Sequence, residues 1–225
     1  KSAYFEFLKS IYLNAGFVYS DGNPSDINKV KLPFYDTNVT NILYIRNKGG
    51  NELRDGFKKT RGKEFLVRNT KKGPASLEDE KVNADSISTA KGIATKLAPA
   101  SPLSYDLRDE GTYSISAASP FDFDFSPISI KNFQVWLKGK YETIEKLNAK
   151  WGTSFKTWDE AMPLTTDEIF KRELTKANTK GNITQIPGLN LAPWADHREY
   201  NDDTMQSAVA RYTNAINEAD PSAPV

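Results

Sequence analysis

Pro102-Leu-Ser-Tyr-Asp-Leu-Arg-Asp-Glu110 reads as a buried strand that ends, at its carboxyl tip, in two adjacent acids. In a barrel of alternating strands and helices that tip is where chemistry sits, because loops there change without disturbing the core. Glu110 is therefore the first catalytic candidate. Side chains alternate in direction along a strand, so Asp109 points away from Glu110. A catalytic acid must hold its proton near neutrality, which requires desolvation, and the neighbouring aromatics could supply it. The alternative is a solvated acid at a strand end, or one paired with Arg108.

Working outward, the chain alternates short apolar runs with helical patterns. Residues 3–14 place Phe7, Leu8, Ile11 and Tyr12 on one helical face, and Asn14-Ala-Gly16 stops that helix. Gly16-Phe-Val-Tyr-Ser-Asp21 follows as a strand, then Pro24 to Lys31 as a polar helix and Leu32-Pro-Phe-Tyr-Asp36 as a second strand. This alternation predicts parallel β/α units rather than a sandwich. From about Thr37 to Pro74 the signals are weak, which suggests an excursion over the barrel mouth. Glu78 to Leu97 reads as a helix with Val82, Ile87, Ala90, Ala94 and Leu97 inward, ended by Pro99.

Downstream of Glu110, Ser126-Pro127 supplies an N-cap and a first-turn proline to a helix burying Ile130, Phe133, Trp136, Leu137 and Tyr141. Thr143 caps a short helix closed by Gly152. Residues 165–188 are polar and give no clear pattern. Asp202 or Asp203 is expected to cap the last helix, which buries Met205, Ala208, Val209, Tyr212, Ile216 and Ala219 and stops at Asp220-Pro221. No solenoid repeat, linker or low-complexity tract interrupts the sequence, so residues 1–225 read as a single domain.

Thirty Lys and Arg against 29 Asp and Glu leave a formal charge of +1 without a basic stripe, which argues against nucleic acid as a partner. No run approaches the ~20 apolar residues of a membrane helix. The absence of Cys removes disulfides, thiolate metal sites and cysteine catalysis. His197 is the sole His, which excludes a multi-His metal site, and Asp122 with Asp124 gives only a weak cation spacing. No metal or organic cofactor is expected. Asn38-Val-Thr40 and Asn182-Ile-Thr184 match the glycosylation pattern, as chance also produces.

Four further stretches complete the reading: Phe121-Asp-Phe-Asp-Phe-Ser-Pro127, Phe133-Gln-Val-Trp-Leu137, Leu147-Asn-Ala-Lys-Trp-Gly-Thr-Ser-Phe155 and Pro193-Trp-Ala-Asp-His-Arg-Glu-Tyr200. Together with the Ala219-Asp-Pro221 ending, their succession resembles the clan A glycoside hydrolases, closest to the family 42 β-galactosidases. The resemblance runs from about Leu103 to Val225 and is only general before that. It implies an α/β fold, a (β/α)8 TIM barrel, of which this chain covers about helix one to the start of strand five. The whole barrel typically takes ~250 residues. With its Lys1 start and Ala223-Pro-Val225 ending, the chain reads as a fragment of a longer catalytic domain.

The resemblance further implies a retaining hydrolase of β-galactosides or related β-linked polysaccharides, with Glu110 as general acid/base. The second carboxylate of the pair, ~5.5 Å away in retaining enzymes, would be a Glu on strand seven, beyond Val225. The family places Asn before its acid/base to donate to the sugar 2-hydroxyl. Here Asp109 stands in that position and, ionised, can only accept. Asp109, Asp21 and Asp36 are candidate substrate-binding residues at the strand tips, with helix N-capping as the alternative for Asp21 and Asp36. Tyr105 is a candidate sugar-stacking residue, with core packing the alternative, and Trp194 a candidate substrate-binding residue, with a structural Asp196–Arg198 ion pair expected beside it. The partners implied are a carbohydrate and either the remainder of the same polypeptide or a homo-oligomer. Export or a cell-surface location would suit such a protein. The competing reading is a carbohydrate-binding or structural protein that keeps the barrel and has lost the reaction.

Overall fold

The computed structural model describes residues 2–19, 23–37, 39, 76–108, 124–177 and 188–225. These fall into two compact units, one formed by Lys1–Tyr44, Asp79–Thr112 and Met205–Val225, the other by Ile45–Glu78 and Tyr113–Thr204.

The first unit alternates helix and strand as the sequence predicts. Helix α1 (Ser2–Ser10) leads to β1 (Gly16–Tyr19), α2 (Pro24–Val30) to β2 (Phe34–Thr37), and α3 (Glu80–Leu97) to β3 (Tyr105–Asp106). The strands form one parallel sheet in the order β1-β2-β3, with Phe17 opposite Tyr35, Val18 opposite Asp36, and Asp36 opposite Tyr105. Val18, Phe34 and Tyr105 lie on the buried face, packed with Leu8, Ile27, Ala90, Ala94, Leu97 and Ile216 from the helices. Phe17 and Tyr35 alternate to the other face, where they remain partly exposed with ring centroids 6.2 Å apart.

Helix α1 stops sooner than its apolar pattern suggests. Leu13 N–H donates to Leu8 O and Tyr12 N–H to Lys9 O, both at 3.0 Å, with Tyr12 left-handed at φ 64. This paired return is a Schellman closure. It leaves Leu8 buried while Phe7 and Tyr12 are exposed, so the expected inward face shrinks to one residue. In α2, Asn23 caps by accepting Ser25 N–H at 3.0 Å and Pro24 occupies the first turn. Helix α3 buries Ala90, Ala94 and Leu97 as expected, and Pro99 sits in the 3-10 turn Ala98–Ala100 that follows.

In the second unit Ser126 caps α4 (Pro127–Tyr141) by accepting Ser129 N–H at 3.3 Å. Phe133 and Leu137 are fully buried there with Leu147, Trp151 and Tyr200. Thr143 caps α5 (Ile144–Trp151), and Gly152 closes it at φ 67, a left-handed position natural to glycine. The Gly-Thr-Ser-Phe loop after α5 is cinched by one side chain. Asn148 Oδ1 accepts from Thr153 Oγ1 at 2.7 Å and Phe155 N–H at 2.9 Å, while its Nδ2 donates to Phe155 O at 2.9 Å.

Helix α6 (Thr166–Ala177) occupies the first part of the stretch that sequence alone left unplaced, and residues 178–187 lie outside the described residues. The last helix, α7, runs Ala192–Ala219 and corrects the expected start at Asp202 or Asp203. Both acids lie inside it, and Asp203 accepts the indole N–H of Trp136 at 2.8 Å instead of capping. Its start is set by Asn190, whose Oδ1 accepts Ala192 N–H at 3.1 Å. Ala208, Tyr212 and Ile216 are buried as predicted, and the helix stops before Asp220-Pro221.

Candidate active site

The carboxyl ends of β2 and β3 are joined through Asp106. Asp106 Oδ2 accepts from Thr37 Oγ1 at 2.8 Å, its Oδ1 from Arg108 N–H at 3.1 Å, and its carbonyl from Val39 N–H at 3.2 Å. One residue thus links the two strand ends and bends the chain beyond β3. Asp109, Glu110 and Asp21, three of the residues singled out in the sequence, lie outside the described residues, as do Asp122, Asn38 and Thr40 of the first glycosylation motif, and the second motif Asn182–Thr184.

Asp36 and Tyr105 are described, and the structure brings them together on the helix-covered face of the sheet. Asp36 is completely buried and Tyr105 nearly so. The Tyr105 hydroxyl donates to Asp220 Oδ2 at 2.8 Å and lies 3.2 Å from Ala94 O. Burial, followed by the hydrogen bond and negative charge of Asp220 and the charge of Asp36, pushes this phenol well above its ordinary range. Asp220 is desolvated as well, yet the hydrogen bonds from Ser222 and Tyr105 outweigh that and hold it below the usual carboxylate range. Tyr105 N–H also donates to Pro224 O at 2.9 Å, so the chain after α7 runs alongside β3.

Trp194 belongs to the second unit. Its indole N–H donates to Thr166 Oγ1 at 3.0 Å, and the Arg198 guanidinium lies 5.1 Å from its ring centroid, in cation–π range. The ion pair expected between Asp196 and Arg198 is replaced by a different network. Asp196 Oδ2 accepts from Trp151 Nε1 at 2.6 Å and Tyr141 Oη at 2.7 Å, and Oδ1 from Lys140 Nζ at 3.0 Å. Burial, then the bond to Asp196 and its charge, hold the Tyr141 phenol well above its ordinary value. Lys140 loses solvation, but Glu199 and Asp196 more than restore its charge and raise its pKa.

Asp124 lies in the second unit almost wholly buried, with Oδ1 accepting Ser126 N–H at 2.7 Å. Desolvation raises its pKa against the opposing hydrogen bonds of Ser76 and Ser126. Among the described residues no group of three or more His, Asp or Glu could hold a metal ion. No described helix is long and apolar enough to cross a membrane.

The parallel β/α arrangement is that of a segment of a (β/α)8 barrel. An exo-β-agarase structure has the same fold over 98% of this chain and 27% of its own, at a TM-score of 0.51 and 14% identity. Residues 118–225 match the model of glycoside hydrolase family 42, described as beta-galactosidase. Over that segment the chain is similar to the family 42 glycoside hydrolases. It is 31% identical over 93 residues to β-galactosidase BgaP of Planococcus sp. (strain L4), covering 41% of this chain and 13% of that protein. It is 30% identical over 90 residues to β-galactosidase BgaA of Planococcus sp. (strain 'SOS Orange'), covering 40% and 12%. The chain thus spans about an eighth of the length of these curated relatives. The family match starts at residue 118, after Asp109 and Glu110.

Proposed function

We propose that this chain is part of a retaining glycoside hydrolase acting on β-galactosides or related β-linked polysaccharides, with Glu110 as general acid/base. The observation that carries the reading is the family 42 match over residues 118–225, immediately downstream of a parallel strand whose chain continues into Asp109-Glu110. In a barrel of this kind reacting groups stand at the carboxyl ends of strands. Glu110 would protonate the leaving oxygen and then activate water, and a second carboxylate elsewhere in the polypeptide would attack the anomeric carbon. Asp109 and Asp21 would contact the sugar. Asp36 and Tyr105, with their polar atoms buried under the helices, would support the strands behind the site.

The test is hydrolysis of 4-nitrophenyl β-D-galactoside by the full natural polypeptide carrying this sequence, beside its Glu110→Gln variant. Loss of general acid/base catalysis lowers the rate by about 10²–10⁴-fold. Unchanged activity in the variant refutes the assignment, and an inverted product anomer refutes the retaining course. A second reading, a carbohydrate-binding or structural protein without the reaction, is favoured by one observation: Asp109 replaces the Asn that would donate to the sugar. Saturable galactoside binding without turnover would decide for it.

A further inference from the structure

We propose that Asp106 is a positioning residue for Glu110, acting by fixing the direction in which the chain leaves β3; this rests on the reading of Glu110 as acid/base. Asp106 is the last residue of β3 and lies opposite Thr37, the last residue of β2. Its two carboxylate oxygens serve different masters. Oδ2 takes the Thr37 hydroxyl at 2.8 Å and ties Asp106 to the neighbouring strand, while Oδ1 takes Arg108 N–H at 3.1 Å and turns the chain two residues before Glu110. The Asp106 carbonyl accepts Val39 N–H at 3.2 Å, so Val39, two residues beyond β2, is held to the same point.

These two residues also share the sheet face of Phe17 and Tyr35, opposite the face that buries Phe34 and Tyr105 against the helices. Among the described residues the ladder registers Tyr105 and Asp106 of β3 against β2, and the carboxylate of Asp106 takes the next step by accepting Arg108 N–H. A charged acceptor makes a stronger bond to N–H than a neutral one, which suits a link that must hold a reactive residue in line.

Acid catalysis depends on the geometry between the carboxyl proton and the leaving oxygen, and a displacement of ~1 Å costs up to ~10²-fold. A leaving group that departs without a proton escapes that cost. The measurement is therefore kcat/KM for phenyl and 2,4-dinitrophenyl β-D-galactosides in the full natural polypeptide, comparing wild type, Asp106→Ala, Asp106→Asn and Thr37→Val. Asp106→Ala is expected to lose about 10–100-fold on the phenyl substrate and less than about threefold on the dinitrophenyl one. Asp106→Asn is expected to restore most of the loss, since its amide keeps the acceptor for Arg108 N–H and donates to the Thr37 oxygen. Thr37→Val, nearly the same shape, cuts one link and should show the same leaving-group dependence at smaller size, which decides the matter if Asp106→Ala does not fold.

Equal losses on both substrates, or no loss in either Asp106→Ala or Thr37→Val, overturn the positioning role. If that occurs while Glu110→Gln still abolishes hydrolysis of the phenyl substrate, the functional reading stands without it. Wild-type protein that hydrolyses neither substrate overturns both.

Discussion

Replacing Asp196 by Ala should destabilise the second unit severely. The carboxylate is 4% exposed and receives the Trp151 indole N–H, the Tyr141 hydroxyl and the Lys140 ammonium. Trp151 is 1% exposed, so its N–H would be left without an acceptor and without water. An abandoned buried donor costs about 1–3 kcal/mol. The half-buried Tyr141 hydroxyl falls at the low end of the same range. Lys140 has a side chain 30% exposed and retains Glu199, so its share is discounted to the ~0–1 kcal/mol of a surface pair. The total is about 2–5 kcal/mol, a large fraction of the ~5–15 kcal/mol that stabilises a folded protein. Trp136, Trp151, Trp158 and Trp194 all lie in the second unit, so urea unfolding followed by tryptophan fluorescence reports on it selectively. A loss below about 1 kcal/mol would refute the reasoning, since it falls under the cost of a single orphaned buried donor. Trp151→Phe in a double-mutant cycle with Asp196→Ala should be clearly non-additive, because both changes remove the same bond.

Three other outcomes follow from the geometry. Tyr105→Phe removes the hydroxyl that donates to buried Asp220 and should cost about 2 kcal/mol, measured by far-UV circular dichroism during urea unfolding; less than about 0.5 would count against that bond. Tyr12→Gly should stabilise by about 0.5–1 kcal/mol in a thermal melt, since the exposed tyrosine ring packs little while its left-handed backbone is strained for any residue with a Cβ; destabilisation would contradict this. Asp124 has a raised folded pKa through burial, so the folded state holds its proton where the unfolded chain releases it. Its contribution to stability is present below the ordinary Asp value and is lost as pH rises through the folded pKa. Asp124→Asn should therefore gain stability near neutral pH and flatten that acid-side dependence. An unchanged pH profile of stability would exclude the group as its source.

Local chemistry was legible from the residues wherever partner and target are neighbours in sequence. Ser126-Pro127, Thr143 and Gly152 begin and end helices as their types require, because a cap or a left-handed residue acts within one turn. The alternation of apolar runs and helical periods likewise predicts parallel β/α units, and the sheet β1-β2-β3 has that form. Helix α7 failed for the opposite reason. Asp202 and Asp203 look like caps, but Trp136, 67 residues away, takes Asp203 as its acceptor.

The polar centres show the same division. The sequence, through its pattern of strands and aromatic motifs, determined the barrel class and the similarity to family 42 glycoside hydrolases over residues 118–225. It contained no sign that Asp196 would gather Lys140, Tyr141 and Trp151, or that Asp106 would bind Thr37 across 69 residues. Acidic side chains look alike in a sequence. Only packing decides which donors are buried beside each one, and therefore which carboxylates are held in the fold.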